Sequence, residues 1–216
     1  IKLKDNSDTE VLFQLLKLYG VQKTLTLIDG MFSFAFYEIK TNSLWLVRDP
    51  MGEKPLYYSV NEKNIIFGSE LSSLIPALKR KPTKINENAL ISYLHLDYIP
   101  KDQTILTDIK KVLPGEIIKF QNNTLNKYIY TKADLSKKTD ISPKNALKKL
   151  NTLIDKSVRD RLIADVPVGI FLSGGIDSSL IAYYAKKNKN NIKSYTIKMD
   201  NDSYDESAHA KLVAQN

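Results

Sequence analysis

Seven consecutive residues combine the small, hydroxylated and acidic side chains that a phosphate-binding turn requires. They are Ser173-Gly174-Gly175-Ile176-Asp177-Ser178-Ser179. Glycines let the backbone approach a ligand closely, and the free N–H groups at the start of a helix attract anions. Serine hydroxyls add hydrogen-bond donors, and a carboxylate is a common ligand of Mg²⁺. The segment therefore predicts a nucleotide site in which Asp177 holds the metal ion.

A strand and a helix must position this segment. Residues 168–172 form a short apolar run that is typical of a buried parallel strand, and residues 180–185 continue as a helix. Residues 193–199 read as a second strand, which predicts a βαβ unit with a right-handed crossover. The segment lacks the Gly-Lys-Ser/Thr ending of a kinase-type loop and the spacing of a dinucleotide fingerprint. An ordinary turn rich in glycine and serine is the structural alternative.

The first half of the chain has a different pattern. Ser7 and Glu10 have the spacing of a capping box and precede a helix. Residues 31–37, 43–47, 56–60 and 64–67 then predict strands in an antiparallel series, joined by polar turns. A helix at 87–96 and a hairpin at 116–128, which turns at residues 121–123, complete this part.

A polar, lysine-rich stretch at residues 131–141 is typical of a linker. Ser142 and Pro143 then suit the N-cap and first turn of a helix. The predicted apolar face of that helix consists of Ala146, Leu147, Leu150, Leu153, Ile154 and Val158.

Composition limits the classes of function. The net charge is +8, but the lysine clusters contain no aromatic stacking platform, so solvated faces explain them better than nucleic-acid binding. No apolar run reaches the roughly 18 residues of a membrane span and no signal peptide opens the sequence, so we expect a cytoplasmic enzyme. Cysteine is absent, which excludes disulfides, thiolate zinc sites and a cysteine nucleophile within these residues.

The loop at residues 166–179 resembles the pyrophosphatase loop of the glutamine-hydrolysing asparagine synthetases. Other ATP pyrophosphatases share such a loop, so the first half of the chain narrows the choice. Residues 27–37, 48–58, 67–71 and 113–116 resemble, in this order, the later part of the class II glutaminase domain that these synthetases carry. The resemblance covers essentially the whole chain.

The resemblance implies a partial α+β glutaminase domain with antiparallel sheets, like that of the N-terminal-nucleophile hydrolases. The start of an α/β ATP-pyrophosphatase domain with a parallel sheet follows it. We place the first domain at residues 1–130, the linker at 131–141 and the second domain at 142–216. We expect the cysteine nucleophile and oxyanion hole upstream of Ile1, and the aspartate site and ammonia channel largely after Asn216, so we interpret the chain as an internal fragment.

The resemblance also implies roles for individual residues. Asp8 matches the residue that binds the α-amino group of glutamine, although a carboxylate there could instead stabilise the start of a helix. An acidic cluster at 200–206 is interpreted as a solvated loop, and Lys198 stands where the family often has glycine. The implied ATP-binding residues, among which Asp177 is the Mg²⁺ ligand, are Leu172, Ser173, Gly174, Gly175, Asp177, Ser178, Ser179 and Ile197. Leu172 and Ile197 could equally be core residues of their strands.

The implied reaction is the ATP-dependent amidation of aspartate to asparagine with glutamine as the nitrogen donor. It passes through a β-aspartyl-adenylate and releases AMP and pyrophosphate. A related amidotransferase or lactam-forming synthetase that acts on another carboxylate shares every motif named above, and a non-catalytic fragment is the remaining alternative. Glutamine, aspartate and ATP are the expected small-molecule partners, with Mg²⁺ as the metal and a homodimer as a possible assembly.

Overall fold

The computed structural model describes residues 3–4, 7–61, 63–78, 84–131, 136, 138–201 and 203–215. The chain divides into two units, Ile1–Leu135 and Ser136–Asn216. The predicted linker at 131–141 lies partly outside the described residues, and its boundaries stay a prediction. No helix in the described ranges is long and apolar enough to cross a membrane.

The first unit begins with a helix whose start was predicted from its cap. Ser7 is the N-cap, and its Oγ accepts a hydrogen bond from the Glu10 N–H at 3.1 Å. The helix kinks at Gly20, where φ is 71°. The elements of this unit are α1 Asp8–Thr24, β1 Ser33–Glu38, β2 Ser43–Arg48, β3 Tyr57–Val60, β4 Ile65–Gly68, α2 Leu71–Leu74, α3 Glu87–Leu96, β5 Lys110–Lys111, β6 Glu116–Gln121 and β7 Thr124–Ile129.

The strands form two antiparallel sheets and not one continuous series. Sheet A has the order β1-β2-β6-β7, and sheet B has the order β4-β3-β5. The predicted antiparallel pairing is confirmed, but β2 pairs with the distant β6, with Leu46 opposite Ile118, and β3 belongs to the other sheet. The tight turn between β6 and β7 is at Asn122 and Asn123, whose φ values of 49° and 60° suit a left-handed hairpin turn.

Burial on both faces of sheet A explains this arrangement. Side chains alternate along a strand, so Leu46 and Val47 point to opposite faces. Val47 joins a core with Leu16 of α1, whereas Leu46 joins a core with Leu56 and Tyr58 from the segment that leads into sheet B. Sheet A is therefore the middle layer of the unit, with α1 on one side and sheet B on the other.

The second unit contains the predicted βαβ arrangement. Its elements are α4 Pro143–Arg161, β8 Gly169–Phe171, α5 Ile176–Asn188, β9 Lys193–Tyr195 and α6 Ser207–Gln215. Strands β8 and β9 are parallel, with Ile170 opposite Ser194. Strand β9 ends at Tyr195, four residues before the predicted end.

Helix α4 begins as predicted, with Ser142 as N-cap and Pro143 in the first turn, but its leucine face is not buried. Leu147, Leu150 and Leu153 are each more than half exposed. The helix contacts α5 through polar side chains instead, because Asn151 accepts a hydrogen bond from the Tyr184 hydroxyl at 3.1 Å and Asp155 accepts one from Asn188 at 3.0 Å.

Candidate active-site residues

The predicted phosphate-binding turn lies between β8 and α5, as the sequence indicated. Gly175 is the N-cap of α5, and Asp177 is in its first turn. Two serine hydroxyls bridge the turn, since Ser173 Oγ and Ser178 Oγ are 2.9 Å apart and Ser178 Oγ also donates to the Gly175 carbonyl at 3.1 Å. These bonds connect the two ends of the turn.

Backbone donors point out of this turn. In the described part of the chain, no hydrogen-bond acceptor is found for the N–H groups of Ile176, Asp177 and Ser178, which belong to the first turn of α5. Such groups bind anions, and the helix dipole adds to the attraction. The arrangement fits the phosphates of a nucleotide.

The two glycines of the turn differ in their surroundings. Gly174 has φ 84°, and a Cβ there would lie 2.6 Å from His209 Cβ and 2.7 Å from Ala210 N. Helix α6 therefore packs directly against the turn at Gly174. A Cβ on Gly175 would meet only Ser173 Oγ, at 3.5 Å, so the space in front of Gly175 is open to a ligand.

Asp177 is exposed and has the carboxylate expected of a Mg²⁺ ligand. Among the described residues, no group of three or more His, Cys, Asp or Glu side chains is placed to hold a metal ion. Magnesium commonly binds through one or two carboxylates together with substrate phosphates. A single carboxylate beside a phosphate-binding turn fits that mode, and the metal role of Asp177 stays a prediction.

A cavity of about 390 Å³ lies at the carboxyl ends of β8 and β9, beside the turn. This is where ligands bind in open parallel sheets. Leu172 and Ser173, from the segment after β8, line it together with Ile197, from the segment after β9. Ser179 instead faces a second groove, of about 740 Å³, between the strands, α5 and α6. Three of the predicted nucleotide residues thus line the cavity, and Leu172 also lines the second groove, which Ser179 faces.

Sequence reasoning did not assign the other six residues that line this cavity, which are Phe171, Tyr195, Thr196, Met199, Tyr204 and Glu206. Thr196 Oγ1 donates a hydrogen bond to the Leu172 carbonyl and so joins the two strand ends. Glu206 belongs to the acidic cluster that was interpreted as a solvated loop, and its position just before a helix was the only signal available.

Asp205, from the same acidic cluster, caps α6. Its carboxylate accepts hydrogen bonds from the Ser207 N–H at 3.1 Å and the Ser207 hydroxyl at 2.9 Å. The hydrogen bonds from Ser207 lower the pKa of this exposed carboxyl. The cap fixes the start of the helix that packs on Gly174.

The predicted glutamine ligand, Asp8, is the first residue of α1. Its side chain is exposed, and its carboxylate accepts a hydrogen bond from the Thr9 hydroxyl at 3.3 Å. A carboxylate here gains about 0.3–1 kcal/mol from the helix dipole and can still accept a ligand's ammonium group. The local geometry accommodates both roles that the sequence left open for Asp8, which are stabilisation of the helix start and binding of the glutamine α-ammonium group.

The Arg-Asp pair at the end of β2 builds a hydrogen-bonded loop. Asp49 is fully buried, and its carboxylate accepts hydrogen bonds from three backbone N–H groups, those of Met51 at 3.1 Å, Glu53 at 2.9 Å and Lys54 at 2.9 Å. The bonds compensate the cost of burying the charge. They also fix the backbone of residues 49–54.

Arg48 holds the same loop from the opposite side. Its guanidinium donates to the carbonyls of Lys54 at 2.8 Å, Gly52 at 2.7 Å and Val112 at 2.7 Å. Gly52 has φ 66°, and a Cβ there would lie 2.7 Å from Pro114 Cγ. We call residues 48–54 with these contacts the Arg-Asp lock.

Tyr130 connects the lock to the end of β7 and gives a testable pH dependence. Its hydroxyl donates to the Arg48 carbonyl at 3.0 Å, and burial, followed by the charge of Asp49, raises the pKa of Tyr130 from 10.0 to about 12. The native state therefore retains this proton more strongly than the unfolded chain does. Its contribution to stability is complete below pH 10 and is lost as the pH rises towards 12.

We expect the thermal midpoint of the protein to fall more steeply between pH 10 and 12 than that of Tyr130→Phe. At neutral pH, Tyr130→Phe should be less stable by about 1 kcal/mol because the hydrogen bond is lost. Melting curves at stepped pH test both statements, with Tyr128→Phe, an exposed phenol on β7, as the control. Equal slopes for the protein and Tyr130→Phe would contradict the assignment.

Two family models match the chain. Residues 1–131 match the family model of the glutamine amidotransferase domain, and residues 149–216 match that of asparagine synthase. The chain belongs to the glutamine-hydrolysing asparagine synthetase family. The resemblance inferred from the sequence is thereby confirmed.

Individual relatives extend this family assignment. Asparagine synthetase [glutamine-hydrolyzing] 1 of Bacillus subtilis is 32% identical over 97% of this chain and 33% of its own length. Asparagine synthetase [glutamine-hydrolyzing] 3 of the same organism is 30% identical over 92% of this chain and 33% of its own. Putative asparagine synthetase 2 of Methanocaldococcus jannaschii is 28% identical over 99% of this chain and 42% of its own. The chain thus spans about a third of the length of the first two relatives.

Among solved structures, the glutamine phosphoribosylpyrophosphate amidotransferase of B. subtilis matches 93% of this chain and 41% of its own, with a TM-score of 0.39 and 14% identity. The antiparallel sheets of the first unit are those expected of a glutaminase domain of the family.

Proposed function

We propose that this chain contributes the ATP-binding turn and part of the glutaminase to an enzyme that converts aspartate to asparagine with glutamine as nitrogen donor. The observation that carries the proposal is the turn at the end of β8. Its free N–H groups, open Gly175 and adjoining cavity suit a nucleotide, and they occur in a chain whose relatives are named asparagine synthetases.

In the second unit, the proposed step is adenylation of the substrate. The side-chain carboxylate of aspartate attacks the α-phosphorus of ATP, the bond to the β-phosphate oxygen breaks, and pyrophosphate leaves. The N–H groups of Ile176, Asp177 and Ser178 stabilise the charge that develops on the leaving pyrophosphate. Mg²⁺, held by the Asp177 carboxylate, would neutralise part of that charge. Ser173 and Ser178 keep the turn in place through their shared hydrogen bond.

The acyl-adenylate then reacts with ammonia. The ammonia nitrogen attacks the activated acyl carbon, the bond to AMP breaks, and asparagine and AMP are the products. The cavity beside Leu172 and Ile197 is our candidate for the nucleoside part of ATP, because it adjoins the turn at the strand ends.

The first unit is proposed to take part in glutamine hydrolysis, which supplies the ammonia. Asp8 would pair with the α-ammonium group of glutamine, since its carboxylate is exposed at the start of α1. The chain has no cysteine, so the nucleophile that the family resemblance implies is not among these 216 residues. We expect the isolated 216-residue chain to show no glutaminase activity.

Product analysis tests the proposal in the full-length protein encoded by the reading frame that contains this sequence. Glutamine, aspartate, ATP and Mg²⁺ should yield asparagine, glutamate, AMP and pyrophosphate in equal amounts. Release of ADP and phosphate would contradict adenylation. If AMP forms with a different carboxylic acid but not with aspartate, the adenylation mechanism stands and aspartate is the wrong substrate. The protein would then be a related amidotransferase or lactam-forming synthetase.

A further inference from the structure

We propose that Arg48 and Asp49 are positioning residues for glutamine binding, acting through the aromatic core that supports α1 and Asp8. This inference rests on the proposed function, since it takes Asp8 as the glutamine ligand. The Arg-Asp pair is part of the motif that identified the glutaminase half, yet no step of the proposed reaction uses it.

The first step is that the lock is a rigid unit. Six charge-assisted hydrogen bonds to backbone groups, each between 2.7 and 3.1 Å, satisfy the two side chains. Hydrogen bonds to charged groups are about twice as strong as neutral ones. The Gly115 N–H also donates to the Asp49 carbonyl at 2.9 Å, which ties the loop to the start of β6.

The second step is that the lock holds two aromatic residues of the neighbouring core. The Asp49 N–H donates to the Phe32 carbonyl at 2.9 Å, and the Arg48 carbonyl accepts the Tyr130 hydroxyl at 3.0 Å. Phe32 and Tyr130 both pack against the core cluster that contains Val47, the residue before Arg48. A change in the lock therefore displaces the backbone of one aromatic residue and the side chain of the other.

The third step joins this core to α1. Leu16 is a buried member of the same cluster, and Leu12 packs against it. Leu12 lies one helical turn after Asp8, so the packing of Leu12 and Leu16 against the core determines the position of the start of α1. In the described part of the chain, the adjacent Thr9 is the only donor to the Asp8 carboxylate. The position of that carboxylate thus depends on how α1 rests on the core.

A double-mutant cycle in the full-length protein tests the proposal. Asp49→Asn should raise the KM for glutamine about tenfold and leave kcat for glutamine hydrolysis within about twofold, because ground-state binding is what Asp8 provides. In an Asp8→Asn background, Asp49→Asn should raise KM further by less than about twofold, since the two residues act through one contact. The KM for ATP should not change.

A matched control separates positioning from loss of stability. Thr104 is buried in the same unit and its hydroxyl donates to the Ile109 carbonyl at 2.7 Å, but it belongs to neither the lock nor the α1 core. Thr104→Val should destabilise the unit and leave the KM for glutamine unchanged. Equal KM values for Asp49→Asn and Thr104→Val, or additive effects of Asp8→Asn and Asp49→Asn, would overturn the proposal.

The outcomes also distinguish this inference from the function on which it rests. If Asp8→Asn leaves the KM for glutamine unchanged, the assignment of Asp8 fails and the positioning role fails with it. If Asp8→Asn raises KM while Asp49→Asn does not, only the positioning role is wrong. Should Asp49→Asn fail to fold, Arg48→Lys replaces it in the same double-mutant cycle. Lysine keeps the positive charge but cannot reproduce the planar guanidinium that donates to three carbonyls. The expected coupling with Asp8→Asn is the same.

Discussion

Asp177→Asn is expected to lower aspartate-dependent pyrophosphate release by about a hundredfold or more, and to leave glutamate release from glutamine unchanged. Asp177 supplies the only carboxylate within the turn of residues 173–179, and the amide cannot offer a charged oxygen to Mg²⁺. The substitution preserves the shape of the side chain. Its effect on the helix dipole is limited to about 0.3–1 kcal/mol, so the protein should remain folded.

Separate assays of the two half-reactions decide this prediction. Pyrophosphate release reports the second unit, and glutamate release reports the glutaminase half. Asp160→Asn is the matched control, because Asp160 is a partly exposed carboxylate of the same unit that forms surface ion pairs with Lys156 and Arg159 on α4. A surface ion pair contributes about 0–1 kcal/mol, so both activities should survive in the control. Equal loss of both activities in folded Asp177→Asn would argue against separate sites.

Local signals predicted well those elements that local interactions determine. Ser7 and Ser142 cap their helices, and Asn122 and Asn123 turn the hairpin, because each of these interactions involves residues close in sequence. The turn between β8 and α5 was predicted for the same reason, and its nucleotide role stays a prediction. The side-chain hydrogen bonds that the structure describes for this turn lie within residues 173–178.

The interactions that the sequence did not reveal are long-range. The pairing of β2 with β6, and the assignment of β3 to another sheet, depend on which faces of sheet A are buried. The bond from Arg48 to the Val112 carbonyl spans 64 residues, so the motif was recognisable but its partners were not. The exposure of the α4 leucines could not be predicted, since periodicity shows that a helix has an apolar side and cannot show what covers it.

The candidate nucleotide site also contains some residues that the sequence indicated and others that only the fold brings near. Leu172, Ser173 and Ile197 were assigned to the nucleotide from the family resemblance, and all three line one cavity. Glu206 and Tyr204 approach the cavity only because the chain returns to the sheet before α6, and acidic residues in a polar stretch favoured the interpretation as a solvated loop. The contact of α6 with Gly174 depends on the same return, so no local pattern could have indicated it.

The two glycines of the turn should therefore respond differently to substitution by alanine. Gly174→Ala places a Cβ against the backbone of α6 and imposes a left-handed conformation on a non-glycine residue. The conformational strain costs about 1–2 kcal/mol and the overpacking about 1–3 kcal/mol, so we expect the second unit to be destabilised by about 3 kcal/mol. Its ATP affinity should fall because the turn and α6 move apart.

Gly175→Ala should leave the fold intact and still weaken ATP binding. Its φ is −70°, which any residue adopts, and the nearest atom to its Cβ is Ser173 Oγ at 3.5 Å. The loss of stability is then only that of an N-cap glycine, up to about 1 kcal/mol. A phosphate that binds at the N–H groups of α5 has to approach this open position, so the added methyl group should lower ATP affinity about tenfold or more.

Calorimetric titration with ATP and Mg²⁺, together with melting curves, separates the two effects in the full-length protein. Gly174→Ala is expected to lose both stability and affinity, and Gly175→Ala only affinity. Gly68→Ala provides a steric control in the first unit, since its Cβ would meet Ser73 Oγ at 2.8 Å and Leu74 Cδ1 at 2.9 Å, away from the turn and the cavity. It should lose stability, while its folded fraction binds ATP normally. Unchanged ATP affinity in Gly175→Ala would mean that phosphate does not bind at this turn, and the assignment of the nucleotide site would then be wrong.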